Sequence, residues 1–267
     1  MKLKISVVQM AVATADPERN LARGEAWIAE AARQGSDLVC FPEMWTTGFD
    51  WDWNAAHLNE QEAVVDRVAA LARRYGVWIN GSVLAPNDAG RAANTSILFD
   101  GQGNRVAVYR KVHLFSYMHE DRHMAPGGSL TVARTPWGPV GLSVCYDIRF
   151  PELYRSLALK GARVVLSPTA FPFPRLEHWK ILVRARAIEN QMFVVGPNQV
   201  GNEGSGEGGV TYFGHSVVVD PWGEPLVEGG GDQELLLTAT LDLDRVDETR
   251  RKIRVFQDRR PTLYELG

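Results

Sequence analysis

Two cysteines, Cys40 and Cys145, are the only thiols among 267 residues, and one of them stands where a thiol can react. Cys145 ends the apolar run Gly141-Leu142-Ser143-Val144, just before Tyr146-Asp147-Ile148-Arg149-Phe150 and the helix-starting Pro151-Glu152. At such a strand-to-helix junction a thiol projects into a pocket while the N–H groups after it face a developing oxyanion. An isolated cysteine at a strand end is more often a small core residue, so position alone leaves both readings open. Cys40, inside Asp37-Leu38-Val39-Cys40-Phe41-Pro42, reads as core packing. A nucleophilic thiol needs a base, and neither cysteine carries a papain-type or caspase-type signature. Glu43, directly behind Pro42 at a strand end, can serve if burial raises its pKa; in solvent it is an ordinary loop residue. Lys111 is one of only six lysines among 29 basic residues and lies in Tyr109-Arg110-Lys111-Val112-His113-Leu114-Phe115. There it either gives a compact positive charge to a thiolate or tetrahedral oxyanion, or guards a strand edge.

These residues must be positioned by the elements around them. Leu3 to Val8 reads as a buried strand, and Asp16-Pro17 caps a helix with Leu21, Ile28, Ala29 and Ala32 on one face, ending at Gly35. Gly24 and Glu25 weaken that helix. Residues 37–42 form a strand, 61–75 a helix closed by Gly76, and 77–80 a further strand. Two hairpins follow: 95–99 with 106–109 around Asp100-Gly101-Gln102-Gly103, and 130–135 with 140–144 around Pro136-Trp137-Gly138. Helices are expected at 151–160, 178–190 and 243–252, and strands at 164–167, 193–195, 216–219 and 234–241, with a turn at 221–224. The five glycines of 201–209 make a mobile connector rather than a phosphate cradle, because no helix opens directly after them.

With no repeat, linker or low-complexity tract, the chain reads as a single domain, 1–267. Alternating α and β elements around two stacked mixed sheets give an α/β class. A formal net charge of −3 and a pI near 6.1 offer no global attraction for nucleic acid or an anionic membrane. The N-terminal run after Lys2 and Lys4 is a poor secretion signal, interrupted by Gln9, and no stretch is long enough to span a bilayer. A reducing cytoplasm fits two cysteines.

The three chemical contexts together resemble the nitrilase superfamily of carbon–nitrogen hydrolases, whose Glu-Lys-Cys triad is matched by Phe41-Pro42-Glu43, by Arg110-Lys111-Val112-His113-Leu114-Phe115 and by Val144-Cys145-Tyr146-Asp147-Ile148-Arg149-Phe150-Pro151-Glu152. Arg184 to Gln191, Gly214-His215-Ser216, Asp220-Pro221-Trp222-Gly223-Glu224 and Val255 to Arg260 look like family segments too, so the resemblance spans nearly the whole chain. It implies an αββα sandwich that pairs by its helices into an αββααββα dimer or larger homo-oligomer. It also implies Cys145 as nucleophile on an amide carbonyl, Glu43 as general base and acid, and Lys111 with the Tyr146 N–H at the oxyanion. The family's second glutamate matches Glu120.

The chemistry implied needs no cofactor and no metal. His113, His119 and His123 have metal-ligating side chains near Glu120, but no pattern fixes their geometry. The Cys145–Phe150 and Gly214–Ser216 segments look most like the branch containing ω-amidase and deaminated-glutathione amidase, which act on small carboxylate-bearing amides. Arg149 then either meets a substrate carboxylate or pairs with Glu152 or another acid, and Phe171 and Phe173 wall an acyl pocket or pack the core. A nitrilase, an N-carbamoyl amino acid hydrolase and a catalytically silent partner-binding module are the competing readings.

Overall fold

In the computed structural model, which describes residues 1–203 and 209–264, the first half of the chain runs β1 (Lys2–Gln9), α1 (Pro17–Arg33), β2 (Leu38–Cys40), α2 (Trp51–Ala56), α3 (Gln61–Tyr75), β3 (Trp78–Pro86), β4 (Ala92–Phe99), β5 (Arg105–Arg110) and the single turn α4 (Glu120–His123). The second half runs β6 (Val132–Thr135), β7 (Gly138–Leu142), a 3₁₀ turn (Cys145–Arg149), α5 (Pro151–Leu159), β8 (Val164–Leu166), α6 (Leu176–Asn190), β9 (Phe193–Gly196), β10 (Val200–Glu203), β11 (Val210–Phe213), β12 (Val217–Val219), β13 (Pro225–Glu228), β14 (Leu235–Asp242), α7 (Asp244–Lys252) and α8 (Val255–Asp258).

Two six-stranded mixed sheets result, ordered β14-β1-β2-β3-β4-β5 and β13-β12-β9-β8-β7-β6. Followed from β14 and from β6, both sheets pair in the same sequence: antiparallel, parallel, parallel, antiparallel, antiparallel. The halves therefore build matching sheets, and the chain's last strand completes the first one. No residue-level repeat announces this, because pairing order follows from apolar runs and turns rather than from residue identity.

Alternation along β1 sets the layers. Leu3, Ile5 and Val7 point into a core shared with Leu142, Val144 and Leu166 of the other half. Val8 points the other way, joining Val39 and Ile79 beneath Leu21, Ile28, Val65 and Val68 of α1 and α3. On the outer side of the second sheet, Leu153 and Leu157 of α5 and Trp179 and Val183 of α6 cover Val165 and Val194. The result is the expected αββα sandwich. Among the described residues, no helix is long and apolar enough to cross a membrane.

Local chemistry explains most element ends. The Asp16 carboxylate accepts from the Arg19 N–H at 3.0 Å, with Pro17 in the first turn of α1. Gly76 closes α3 at φ 63°. The buried face of α1 is Asn20, Leu21, Gly24, Ile28 and Ala31; the expected Ala32 packs against the same core partly buried, and Ala31 takes the place expected of Ala29. Gly24 is a packing requirement rather than a weakness: a Cβ there would stand 2.5 Å from Trp45 Cζ3. The 77–80 strand continues to Pro86 and forms a third hairpin with β4, and the second hairpin turns on Pro136-Trp137 alone, with Gly138 already in β7. Of the glycine-rich segment, Gly204, Gly206 and Gly208 lie outside the described residues; the flanks, β10 and β11, pair with each other.

Candidate active site

Glu43 follows β2, Lys111 follows β5, Cys145 follows β7, and Glu120 begins α4. Ligand sites in open α/β sheets gather at the carboxyl ends of parallel strands, and β2 and β7 end there. The Pro168–Ala170 loop after β8 closes the site from the second sheet: Cys145 N donates to Pro168 O at 2.9 Å, and Glu43 N to Thr169 O at 3.2 Å. Gln199 Nε2 anchors the Glu43 carbonyl at 2.8 Å.

Cys145 takes a φ of +44°, a region that L-residues enter only under constraint. Asp147 supplies that constraint. Its fully buried carboxylate accepts from Val144 N at 2.9 Å, Tyr109 OH at 2.7 Å, and His113 N and Nδ1 at 3.1 and 2.7 Å. The sharp turn lifts the Cys145 side chain out of the strand line. It also leaves Tyr146 in the first turn of a 3₁₀ helix, where amide N–H groups have no partner inside the helix.

Lys111 Nζ lies 2.8 Å from Glu43 Oε1 and 3.0 and 2.7 Å from Glu120 Oε1 and Oε2. Phe115 N, at 2.7 Å, fixes Glu120 further. Lys111, Glu43 and Glu120 are each at most 2% exposed, so two carboxylates share one buried ammonium. Burial raises the Glu43 pKa above its ordinary value; the Lys111 charge resists and the Glu120 charge reinforces the rise. For Lys111 burial pulls the pKa down, but the charges of Glu120 and Glu43 override it and hold the ammonium protonated. Burial and the Glu43 charge push the Cys145 thiol up. At rest the site is therefore a neutral thiol beside a carboxylate of enhanced basicity and a fixed positive charge.

Cys145 opens on two small adjoining chambers. One is walled by Glu43, Phe49, Trp51, Lys111, Phe115, Met118, Glu120, Ala170 and Tyr212. The other is lined by Phe115, Tyr146, Arg149, Ala170, Phe171, Pro172 and Arg175. A larger open cleft beside α5, lined by Glu152, Arg155, Glu189 and Tyr264, contains none of the reactive groups. The structure thus brings Glu43, Lys111, Glu120, Cys145, Tyr146, Arg149 and Phe171 to one place. Phe173 is not part of it: half exposed, it meets Phe213 edge-on outside the chambers. Arg149 does not pair with Glu152; its Nη2 lies 3.2 Å from His178 Nδ1 and its guanidinium covers the Phe171 ring at 5.3 Å. His113 is bound to Asp147 and His123 stacks on Trp51. Among the described residues no three His, Cys, Asp or Glu side chains are grouped to hold a metal ion.

Sequence reasoning missed Asn94, whose Nδ2 reaches Glu43 Oε1 at 2.8 Å and Glu120 Oε1 at 3.2 Å. It also missed Tyr212, Trp51, Arg175 and Asp147. Asn94 stands among the polar residues Thr95 and Ser96, and its burial, the feature that singles it out, is set by the fold and leaves no mark in the sequence.

The profile of the carbon–nitrogen hydrolases matches residues 4–251. The chain is 36% identical over 269 residues to 2-oxoglutaramate amidase of Bacillus subtilis (strain 168), covering 99% of this chain and all of that one. It is 33% identical over 286 residues to deaminated glutathione amidase of Dictyostelium discoideum, covering 99% and 97%. Among solved structures, the NitN amidase of Nesterenkonia sp. AN1 superposes with a TM-score of 0.86 at 33% identity, over 98% of both chains.

Proposed function

Because this chain belongs to the carbon–nitrogen hydrolase family, we propose that it is a thiol amidase that cleaves the terminal amide of a small carboxylate-bearing substrate, of the α-ketoglutaramate or deaminated-glutathione type. The observation that carries the reading is Lys111 held between Glu43 and Glu120 beside Cys145 on its strained turn. In the first half-reaction Glu43 takes the thiol proton as Sγ bonds to the amide carbon. The oxyanion that forms is met by the Lys111 ammonium and the Tyr146 N–H. Glu43 then gives the proton to the amide nitrogen, the C–N bond breaks, and ammonia leaves behind a Cys145 thioester. In the second, Glu43 deprotonates a water that attacks the thioester, and the thiol regains its proton as the acid departs. Glu120 keeps Lys111 charged and aimed throughout.

The second chamber supplies the carboxylate preference. Arg149 and Arg175 both line it, half-buried and packed on the aromatic faces of Phe171 and of Phe115 and Tyr117. Among the described residues no carboxylate lies within ion-pair distance of either guanidinium, so a substrate carboxylate is the partner both can take. Residues 1–267 act as one catalytic domain that works as a homodimer through α5 and α6, in a reducing cytoplasm that keeps Cys145 a thiol.

Ammonia release from a panel of ω-amides, deaminated glutathione, nitriles and N-carbamoyl amino acids tests the substrate class. The carboxylate-bearing amides are expected to be turned over best, and Arg149→Met to raise their KM about tenfold with little change in kcat, while leaving an uncharged amide unaffected. Preferred turnover of nitriles or carbamoyl compounds, or an equal KM change for the uncharged amide, contradicts the assignment.

A further inference from the structure

Asn94 is completely buried and stands in β4 next to the backbone of Lys111, whose N–H donates to Asn94 O at 2.9 Å. Its Nδ2 lies between the two glutamates, 2.8 Å from Glu43 Oε1 and 3.2 Å from Glu120 Oε1, while its Oδ1 has no hydrogen-bond partner among the described residues. A buried amide oxygen without a partner is costly, and turning the amide over would not relieve it. The flipped group would set Oδ1 against two carboxylate oxygens, so the network fixes the orientation. Asn94 therefore spends both its burial and an unpartnered oxygen on donating to this pair of acids.

The distribution of donors over Glu43 is uneven. Among the described residues, Oε1 receives Lys111 Nζ at 2.8 Å and Asn94 Nδ2 at 2.8 Å, whereas Oε2 receives only the Ala170 N–H at 3.0 Å. With Oε1 doubly occupied, the lone pair free to receive a proton is on Oε2. We propose that Asn94 is a positioning residue that ties Glu43 to Glu120 and makes Oε2 of Glu43 the oxygen exchanging protons with Cys145 and the departing nitrogen. A neutral donor suits the task. A second cation would neutralise the pair and quench the basicity of Glu43, and a third carboxylate would drive it to stay protonated. This inference rests on the reading of Glu43 as the base that serves Cys145.

The test is the pH dependence of Cys145 alkylation by iodoacetamide, followed by intact-protein mass spectrometry, in the full-length wild type and in Asn94→Ala, Asn94→Asp and Glu43→Gln. Alkylation reports the thiol and its base without needing the physiological amide. Asn94→Ala is expected to slow Cys145 labelling about 10- to 100-fold at neutral pH, the range set by one hydrogen bond to a charged group, and to move the acid limb to higher pH. Asn94→Asp is expected to move it further in the same direction. For amide turnover the loss falls on kcat, with KM within about threefold of wild type. A merely structural role instead lowers the melting temperature and leaves the limb in place. Strong loss of labelling in Glu43→Gln with wild-type profiles in both Asn94 variants overturns the role of Asn94 alone. Undiminished labelling in Glu43→Gln overturns it together with the base on which it rests.

Discussion

Removal of the Lys111 ammonium would leave the buried Glu43 and Glu120 carboxylates facing each other across the space it fills. Breaking a buried ion pair by deleting one partner costs about 3–5 kcal/mol, because the remaining charge is uncompensated. In Lys111→Met Glu43 loses the positive charge that resists its upward shift, and it then holds its proton still more tightly in the folded than in the unfolded chain. A carboxyl whose folded pKa is raised makes the fold lose stability as pH climbs from the unfolded value through the folded one. Urea melts of Lys111→Met should therefore show a deficit of that size at pH 8 that shrinks toward pH 5.5; a deficit independent of pH would refute the shared-cation account. The same sign governs activity: Glu43 must be ionised to act as base, and its raised pKa places the acid limb of kcat/KM above the ordinary carboxylate value near 4.5. Glu43, Lys111 and Cys145 were legible as candidates because each closes an apolar strand run. Asn94 and Tyr212 were not, since a polar or aromatic residue inside a hairpin strand acquires its role only from what the opposite strand or loop brings to it.

Gly24 shows at the level of an element why propensity and packing have to be weighed together. Propensity alone says Gly24→Ala should stabilise α1 by up to about 1 kcal/mol. The added methyl would stand 2.5 Å from the ring of Trp45, which is 1% exposed, and overpacking of this kind costs about 1–3 kcal/mol. The expected result is a net loss of roughly 1 kcal/mol or more in urea unfolding, whereas a gain would mean that Trp45 yields freely. Helices and strands with caps and long periods, such as α1 with Asp16 and α3 with Gly76, were readable from the sequence. The six-residue α2 was not, although Asp50 caps it by accepting from Trp53 N at 2.9 Å, because Trp51-Asp52-Trp53 presents no helical stripe. The β10–β11 hairpin was hidden by its glycines, which suppress any strand signal, yet it delivers Tyr212 to the wall of the chamber.

Across the whole molecule, the two matching sheets place the loops after β2 and β8 against each other, and the reactive groups are drawn from both halves of the chain. Neither half holds the site alone, which is why unfolding and loss of activity should coincide. The outer face of α5 and α6 exposes Leu159 at 50%, Ile181 at 62% and Ile188 at 51%, apolar side chains that a second copy of the chain would cover. Light scattering behind size exclusion should find a dimer or a multiple of it, and Ile181→Glu with Ile188→Glu should shift it to monomer; a wild-type monomer would exclude the assembly. The most direct measurement of the central claim is steady-state ammonia release from α-ketoglutaramate by the wild type and by Cys145→Ala, with circular dichroism confirming an unchanged fold. Loss of a covalent nucleophile should lower kcat by about 10⁴-fold or more. Turnover by Cys145→Ala within tenfold of wild type would remove the thiol, and with it the thioester mechanism, from this protein.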